Sequence, residues 1–336
     1  MITKFQAPVP GEQPNIAAGG LATMQMPFGP RLGVIYAQLT VIKAAGGGGV
    51  TSLPLLTDVA DPTLPCFIKV GGKPLRQRLA AEVINDNLLQ DPFSGGSVAY
   101  YQGGVLIARV TNANNASSVG LGLAANTATT AVFQVPFYFA EYWRKDIAAG
   151  EGLAFPTNYV GSITSKPVTV EVPIANNGGG AFSGWGCKFW YDYDGLQWPL
   201  SGNGQPESVV LKKGRFTKAY AVAGDLTIAI PQKEGLAQFS ILLAAADRWN
   251  RLLIKKNGTT LKDITPDQMS QMLQDHGMNV AALLPNQSHV IFDLNDDLNA
   301  TLPLNPNDTF EVILTLSAVA GAAQAVILTE TYGLPD

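Results

Sequence analysis

Charge is the scarcest thing in this chain. Asp, Glu, Lys and Arg make up 14% of its 336 residues, against roughly 25% in an ordinary soluble domain. Weakly polar surface of that kind is suited to burial between subunits. The balance of 22 cations against 26 anions leaves a net charge of −4, with no Lys/Arg block longer than a pair. An electrostatic grip on nucleic acid is thereby excluded, so any nucleic-acid partner is indirect and none is read by sequence. Two cysteines, Cys66 and Cys187, are too few for a disulfide framework; they read as structural thiols and point to assembly in a reducing cytoplasm or to indifference to redox state. The two histidines, His276 and His289, stand at a helix end and a strand start without ligand spacing. A bicupin metalloenzyme needs a histidine cluster in each barrel, which excludes that chemistry. Both read instead as helix-end or partly buried polar residues. Long apolar runs are also missing: none approaches the ~20 residues that span a bilayer, and no basic segment followed by an apolar one opens the chain. The expectation is a soluble protein without a secretory signal.

Catalytic motifs fail one by one. No Gly-x-Ser-x-Gly elbow occurs, and neither cysteine sits in a nucleophile motif. Gly46 to Gly49 are followed by Val50-Thr51-Ser52 where a phosphate cradle needs Gly-Lys-Ser/Thr opening a helix. Asp293-Leu294-Asn295-Asp296-Asp297 puts oxygens at the first, third and fifth places of a calcium loop, but Leu298 and Leu304 occupy the positions that require Gly and a bidentate Glu. A strand-end turn is the better reading. Asp192 and Asp194 alternate onto one face of one strand, unlike the opposed carboxylates of glycoside hydrolysis, and read as a solvent-facing row. Trp185, Trp190 and Trp198 with Phe189, Tyr191 and Tyr193 form the densest aromatic group. A sugar platform is the alternative, but a closing strand belongs in a core or an interface. Asn115, Asn257, Asn286, Asn299 and Asn307 fit the glycosylation pattern and read as ordinary loop asparagines. No catalytic, cofactor-binding or metal-ligating residue is assigned, and no cofactor is expected.

What the chain does contain is a repeat. Phe67 to Asp91 and Leu253 to Gly277 are each a short apolar strand ending in Ile-Lys, a turn with Gly, a Leu three residues on, and an amphipathic helix. Ile254 follows Ile68 by 186 residues, as Gly258 follows Gly72 and Leu261 follows Leu75. The second helix is written in full: Thr265 as N-cap, Pro266 at the first position, Gln268 in the capping-box place and Gly277 as the stop. In the first, Leu79, Ala80, Val83, Ile84 and Leu88 make the apolar stripe, and Asp91-Pro92 ends it. Later strands repeat as well. Val168, Val170, Val172 and Ile174 alternate as Phe310, Val312, Leu314 and Leu316 do, at a separation of 142, and the closing strands ending Gly195-Leu196 and Gly333-Leu334 match at 138. The first copy therefore carries 44 extra residues (186 less 142) between its helix and its penultimate strand.

Gly and Pro are abundant (35 and 22) and fall between short β-rich runs, the pattern of many strands joined by turns. Met1 to Pro30, with five prolines and Gly19-Gly20, reads as an extended N-terminal arm without a core of its own. The expected division is the arm at 1–30, a first module at 31–200 with an insertion near 92–130, most loop-like from Thr111 to Thr130, and a second module at 205–336, joined by the turn-rich Ser201 to Gly204. Each module holds about eight strands and one helix. The fold class is all-β: two eight-stranded jelly rolls in tandem, the arrangement that buries half-apolar strands without long exposed edges.

Paired Ile-Lys-x-x-Gly elements, each opening a helix, together with Val135 to Phe139 before Lys166 to Ala175 and His289 to Asp293 before Asp308 to Ala318, resemble the double jelly-roll major capsid proteins of the tectivirus and adenovirus lineage. The resemblance runs from about Leu32 to Leu334. It implies a homotrimer whose six jelly rolls form a pseudo-hexagonal capsomer, tiling the icosahedral shell of a tailless virus, a bacteriophage. The implied partners are neighbouring capsomers, penton and minor capsid proteins, with Met1 to Pro30 reaching adjacent capsomers or an internal viral membrane. The implied location is the virion, assembled in the host cytoplasm. An enzyme is not expected; a soluble carbohydrate-binding or carbohydrate-active double β-sandwich is the alternative.

Overall fold

The computed structural model describes residues 4–9, 13–27, 31–45, 53–111, 127–140, 155–156, 160–161, 164–165, 167–177, 181–194, 210–230, 235–292, 302–305 and 307–333. The chain divides between residues 208 and 209 into two compact units. In the first, one antiparallel sheet runs in the order β1 (Lys4–Pro8), β14 (Phe182–Asp194), β4 (Arg31–Lys43), β9 (Thr129–Tyr138), β7 (Ser97–Gln102), β8 (Val105–Thr111). Two short strands, β2 (Gln13–Ile16) on β14 and β10 (Phe155–Pro156) on β4, add to it. The other sheet runs β6 (Lys73–Arg78), β5 (Cys66–Val70), β13 (Val168–Pro173), β3 (Leu21–Gln25), and helix α1 (Ala80–Gln90) follows β6. A separate small hairpin joins β11 (Val160–Gly161) and β12 (Thr164–Ser165).

The second unit repeats the plan. One sheet runs β20 (Gln287–Ile291), β17 (Gly235–Leu242), β23 (Ala323–Gly333), β15 (Val210–Tyr220), with β21 (Leu302–Pro303) on β17. The other runs β16 (Gly224–Ile228), β22 (Phe310–Ala318), β18 (Arg248–Lys256), β19 (Thr259–Ile264), and α2 (Pro266–Asp275) follows β19. Alternation builds each core: Val168, Val170 and Val172 are buried on β13, and Phe310, Val312, Leu314 and Leu316 on β22, because successive strand side chains point to opposite faces.

The repeat is geometric as well as textual. Ile68 faces Val170 across β5 and β13, and Ile254 faces Val312 across β18 and β22. Both hairpins turn through two residues of positive φ, Gly71 (57°) and Gly72 (83°) in one, Asn257 (52°) and Gly258 (76°) in the other, the geometry whose twist matches the flanking strands. In both, the pairing shifts by one residue just after the Ile, leaving Leu75 and Leu261 as the extra residue of a bulge. The repeated Leu is thus a register device. A second bulge is shared: pairing skips Gly33 in β4 and Ala237 in β17, and the two bulge carbonyls accept hydrogen bonds from Phe139 N and Phe292 N, both at 2.8 Å.

That second pair locates the insertion. Phe292 follows Phe139 by 153 residues, so 33 of the 44 extra residues (186 less 153) precede the end of β9. They include the β7–β8 hairpin, which extends the sheet beyond β9.

The terminal arm of the sequence reading needs correction. Residues 4–8 pair with β14, and β3 lies beside β13 with Met24 opposite Val170, as Ile228 of β16 lies opposite Val312. β1 and β3 are the first two strands of the first barrel, which therefore begins near residue 4 rather than 31. Pro8 is tolerated in β1 because that strand ends its sheet among the described strands and an edge strand does without one donor; β3 holds no proline but sits between Gly19-Gly20 and Pro27.

Both helices start as the sequence predicts. Gln268 Oε1 accepts from Thr265 N at 2.9 Å and Thr265 Oγ1 accepts from Gln268 N at 3.4 Å, while Gly277 takes φ 79° beyond the last turn, where only glycine is unstrained. In α1, Glu82 Oε2 accepts from Leu79 N at 2.8 Å, and Asn87 Nδ2 donates to Pro136 O on β9 at 2.9 Å. That bond fastens the helix to the sheet. Close by, a methyl group on Gly96 would sit 2.5 Å from Gln134 O and 2.9 Å from Ile84 Cδ1. Gly96→Ala is expected to destabilise the fold by about 1–3 kcal/mol through overpacking, whereas Gly321→Ala, which meets nothing within 4 Å, stays within about 0.5 kcal/mol of wild type. Urea denaturation of both variants measures the difference.

Candidate functional site

Chemistry-bearing side chains do not converge in this molecule. Among the described residues, no group of three or more His, Cys, Asp and Glu is placed to hold a metal ion. His276 caps the end of α2, and His289 is buried on β20 with Nδ1 2.6 Å from Ser240 Oγ. The two histidines line one hollow beneath α2 with Lys262, Met269 and Leu273, a proximity that linear spacing conceals. Burial holds the Lys262 amine below its ordinary range. The lining is otherwise aliphatic and thioether, with no carboxylate among the lining residues to pair with either imidazole.

Cys66 and Cys187 are both buried. Burial, aided by the nearby Glu82 charge, pushes the Cys66 thiol up to about 12, and burial raises Cys187 as well. Neither is a thiolate at neutral pH, so neither is a nucleophile. Of the aromatic group, Trp185, Phe189 and Tyr191 are buried on β14, and Trp185 Nε1 donates to Asp58 O at 3.1 Å. Trp190 and Tyr193 are half-buried, and Trp198 lies outside the described residues. Three of the five described aromatics of the group thus belong to the core. Asp192, expected to face solvent, is half-buried and accepts from Tyr36 Oη at 3.1 Å across neighbouring strands; the Asp194 side chain is outside the described residues, as are Gly46 to Gly49, the acidic run Asp293 to Asp297, Ser201 to Gly204, Asn115 and Asn299. Asn286 Nδ2 donates to Leu243 O, a structural use of a loop asparagine.

Polar side chains instead close loops at the strand ends of the second module. Tyr220 Oη donates to Asp247 Oδ2 at 2.5 Å, accepts from Ala244 N at 2.9 Å, and Asp247 Oδ1 accepts from Ala320 N at 2.7 Å. The hydrogen bond from Tyr220, reinforced by Ala320 N, holds the Asp247 carboxyl below its ordinary value. At the β18–β19 turn, Asn257 Nδ2 donates to Asp308 Oδ1 at 2.9 Å, Asn305 N to Oδ2 at 3.1 Å, and Lys256 Nζ lies 3.1 Å from Oδ2. Those three partners, Asn257 foremost, lower the Asp308 carboxyl to about 2.

Large apolar side chains are exposed in the insertion of the first module. Phe93, Val105 and Leu106 are 81%, 67% and 46% exposed, and all three lie between residues 92 and 130. Along β8, Arg109 and Thr111 are also exposed while Ile107, Ala108 and Val110 are half-buried.

No family model and no curated protein sequence matches the chain. Solved structures do. The major capsid protein P2 of bacteriophage PM2 superposes with a TM-score of 0.64 at 15% identity, over 99% of this chain and 98% of its own. The STIV major capsid protein gives 0.67 at 13% identity over 99% and 97%, and the PBCV-1 virus capsid 0.60 at 12% over 99% and 94%. The chain has the double jelly-roll fold of these capsid proteins along its whole length.

Two measurements check the site as described. Thiol titration of the native protein is expected to register close to none of its two cysteines, rising to both on denaturation. Asp308 has a lowered folded pKa, so its contribution to stability is complete above the unfolded value near 4 and is lost as pH falls toward about 2. Acid unfolding of Asp308→Asn should therefore be shallower between pH 4 and 2 than that of wild type.

Proposed function

We propose that this chain is the major capsid protein of a tailless icosahedral virus, a bacteriophage, and that three copies form a pseudo-hexagonal capsomer that tiles the virion shell. The observation that carries this reading is the pair of equivalent eight-stranded modules, sharing both bulges and both strand-turn-helix units, in a chain whose fold matches viral capsid proteins end to end. Two like modules per chain let a three-fold ring present nearly six-fold edges, which closed symmetric contacts can tile into a shell. The role is structural and non-enzymatic: among the described residues both histidines, both cysteines and the aromatics Trp185, Phe189 and Tyr191 are packed into cores or a helix end. Neighbouring capsomers and the proteins at shell vertices are the partners that such a tile meets. The N-terminal segment, whose residues 4–8 and 21–25 are barrel strands, is the part of the chain that would meet adjacent capsomers or an internal viral membrane.

Purified protein is expected to sediment at about three times the 35.5 kDa chain mass and to give six-lobed outlines in negative stain. A protein that stays monomeric at all concentrations, or that binds glycans and never assembles, removes this reading.

A further inference from the structure

We propose that the hollow beneath α2 binds one soft monovalent metal ion, of the copper(I) or silver(I) class, through the thioethers of Met269 and Met272 and the imidazoles of His276 and His289. The site lies within the second module and stands apart from the capsid reading. Met269, Met272 and His276 recur at intervals of three and four residues, which puts them on one face of the helix. His289 meets that face from β20, where its backbone N donates to Met269 Sδ at 3.0 Å. All four donors line the same hollow.

The surroundings suit a ligand imidazole. His289 and Ser240 are both buried, and Ser240 Oγ lies 2.6 Å from His289 Nδ1. Gln287 Nε2 donates to the same hydroxyl at 3.4 Å. A metal-binding imidazole is held in this way through its other ring nitrogen, which assigns ligation to Nε2. Thioethers select copper(I), and imidazole is a copper ligand as well. Charge then sets the valence. The lining has no carboxylate and includes Lys262, so a bound cation gains no counter-charge there. The cost of taking an ion out of water rises with the square of its charge, which turns the site against zinc(II) and leaves a singly charged ion that binds through polarisable sulfur.

The other module shows what such an ion would do. The spacing of 186 residues that relates the hairpins continues through the helices, matching Leu79 with Thr265 at the N-cap and Glu82 with Gln268 in the capping box. At the same spacing Arg78, Asp86 and Asn87 correspond to Ile264, Met272 and Leu273. The first three fasten α1, through the ion pair of Arg78 with Asp86 at 2.8 Å and the Asn87 bond to β9. Their three counterparts all line the hollow. A metal ion there ties α2 to β20 at the place where polar side chains tie α1 to its sheet.

The test adds silver(I), as the nitrate in chloride-free buffer, to the whole chain and follows the methyl signals of labelled methionines by NMR. The expected result is that silver shifts the signals of Met269 and Met272 and leaves those of Met24 and Met26, buried in the first module, in place, while zinc(II) at the same concentration moves none. Met272→Leu and His276→Gln, both at half-buried positions, should each weaken silver binding at this site at least tenfold, since even outer-shell partners of a metal are worth roughly 10- to 100-fold in affinity. Silver taken up by Cys66 and Cys187 alone, with Met269 and Met272 unmoved, overturns the proposal. So does zinc(II) shifting those two signals, or unchanged silver affinity in either variant. Should a variant fail to fold, the wild-type methyl shifts decide. None of these outcomes bears on the assembly state, so the capsid reading stands or falls separately.

Discussion

Both modules depend on one long-range pairing, that of the strand before the hairpin turn with the penultimate strand. Ile68 and Val170 are 102 residues apart in sequence, Ile254 and Val312 only 58, yet each pair sits opposite in a ladder whose inward face is fully buried. Lengthening such a loop costs little extra closure entropy, since the cost grows with the logarithm of its length. That is why the first module carries 44 more residues inside the same frame. A slip of one residue, in contrast, would turn every buried aliphatic outward. The turn with two positive φ angles and the bulge at Leu75 or Leu261 pin the register at one end of the ladder. The backbone bonds Gly71 N to Pro167 O and Asn257 N to Thr309 O, at 3.0 and 2.8 Å, tie that same turn to the penultimate strand.

The second shared bulge shows how such a frame persists while sequence drifts. One module has Gly33 at the bulge and the other Ala237, but the same carbonyl receives the amide of a phenylalanine at the end of β9 or β20. Bulges bend and re-aim a strand through its backbone, so the requirement falls on hydrogen-bonding geometry more than on side-chain identity. Identities of 12–15% with chains that share the fold over nearly their full length are what a backbone-held architecture permits.

The same logic divides what the sequence discloses from what it hides. The strand-turn-helix units and the period-two ladders are legible because turn chemistry, capping residues and alternation are local, and they placed both helices and the equivalence of the copies. The strands β1 and β3 are not: each is five residues long among prolines and glycines, Pro8 closes β1 as an edge strand allows, and only their pairing with β14 and β13 reveals them. The insertion was legible in size but not in form, although Gly103-Gly104 between Tyr100-Tyr101-Gln102 and Val105-Leu106-Ile107 is a hairpin signal of the same kind as Gly71-Gly72, with φ of 56° and 81°. The meeting of His276 and His289 was illegible, since it follows from how α2 docks on β20.

Scarcity of charge acquires a sharper meaning once the ion pairs are located. Arg78 with Asp86, Lys69 with Glu171, Lys213 with Glu330 and Lys256 with Asp308 are all pairs at 3.1 Å or less with little solvent exposure. They orient a helix, a strand pair, a second strand pair and a turn, respectively. These four pairs place charge at contacts between elements of one chain, whereas Arg251 and Asp263 pair at 2.7 Å on the exposed face of β18 and β19. Association of a chain so poor in charge must come from apolar area and backbone pairing rather than from ion pairs, and contacts of that kind are insensitive to the salt that screens exposed charges.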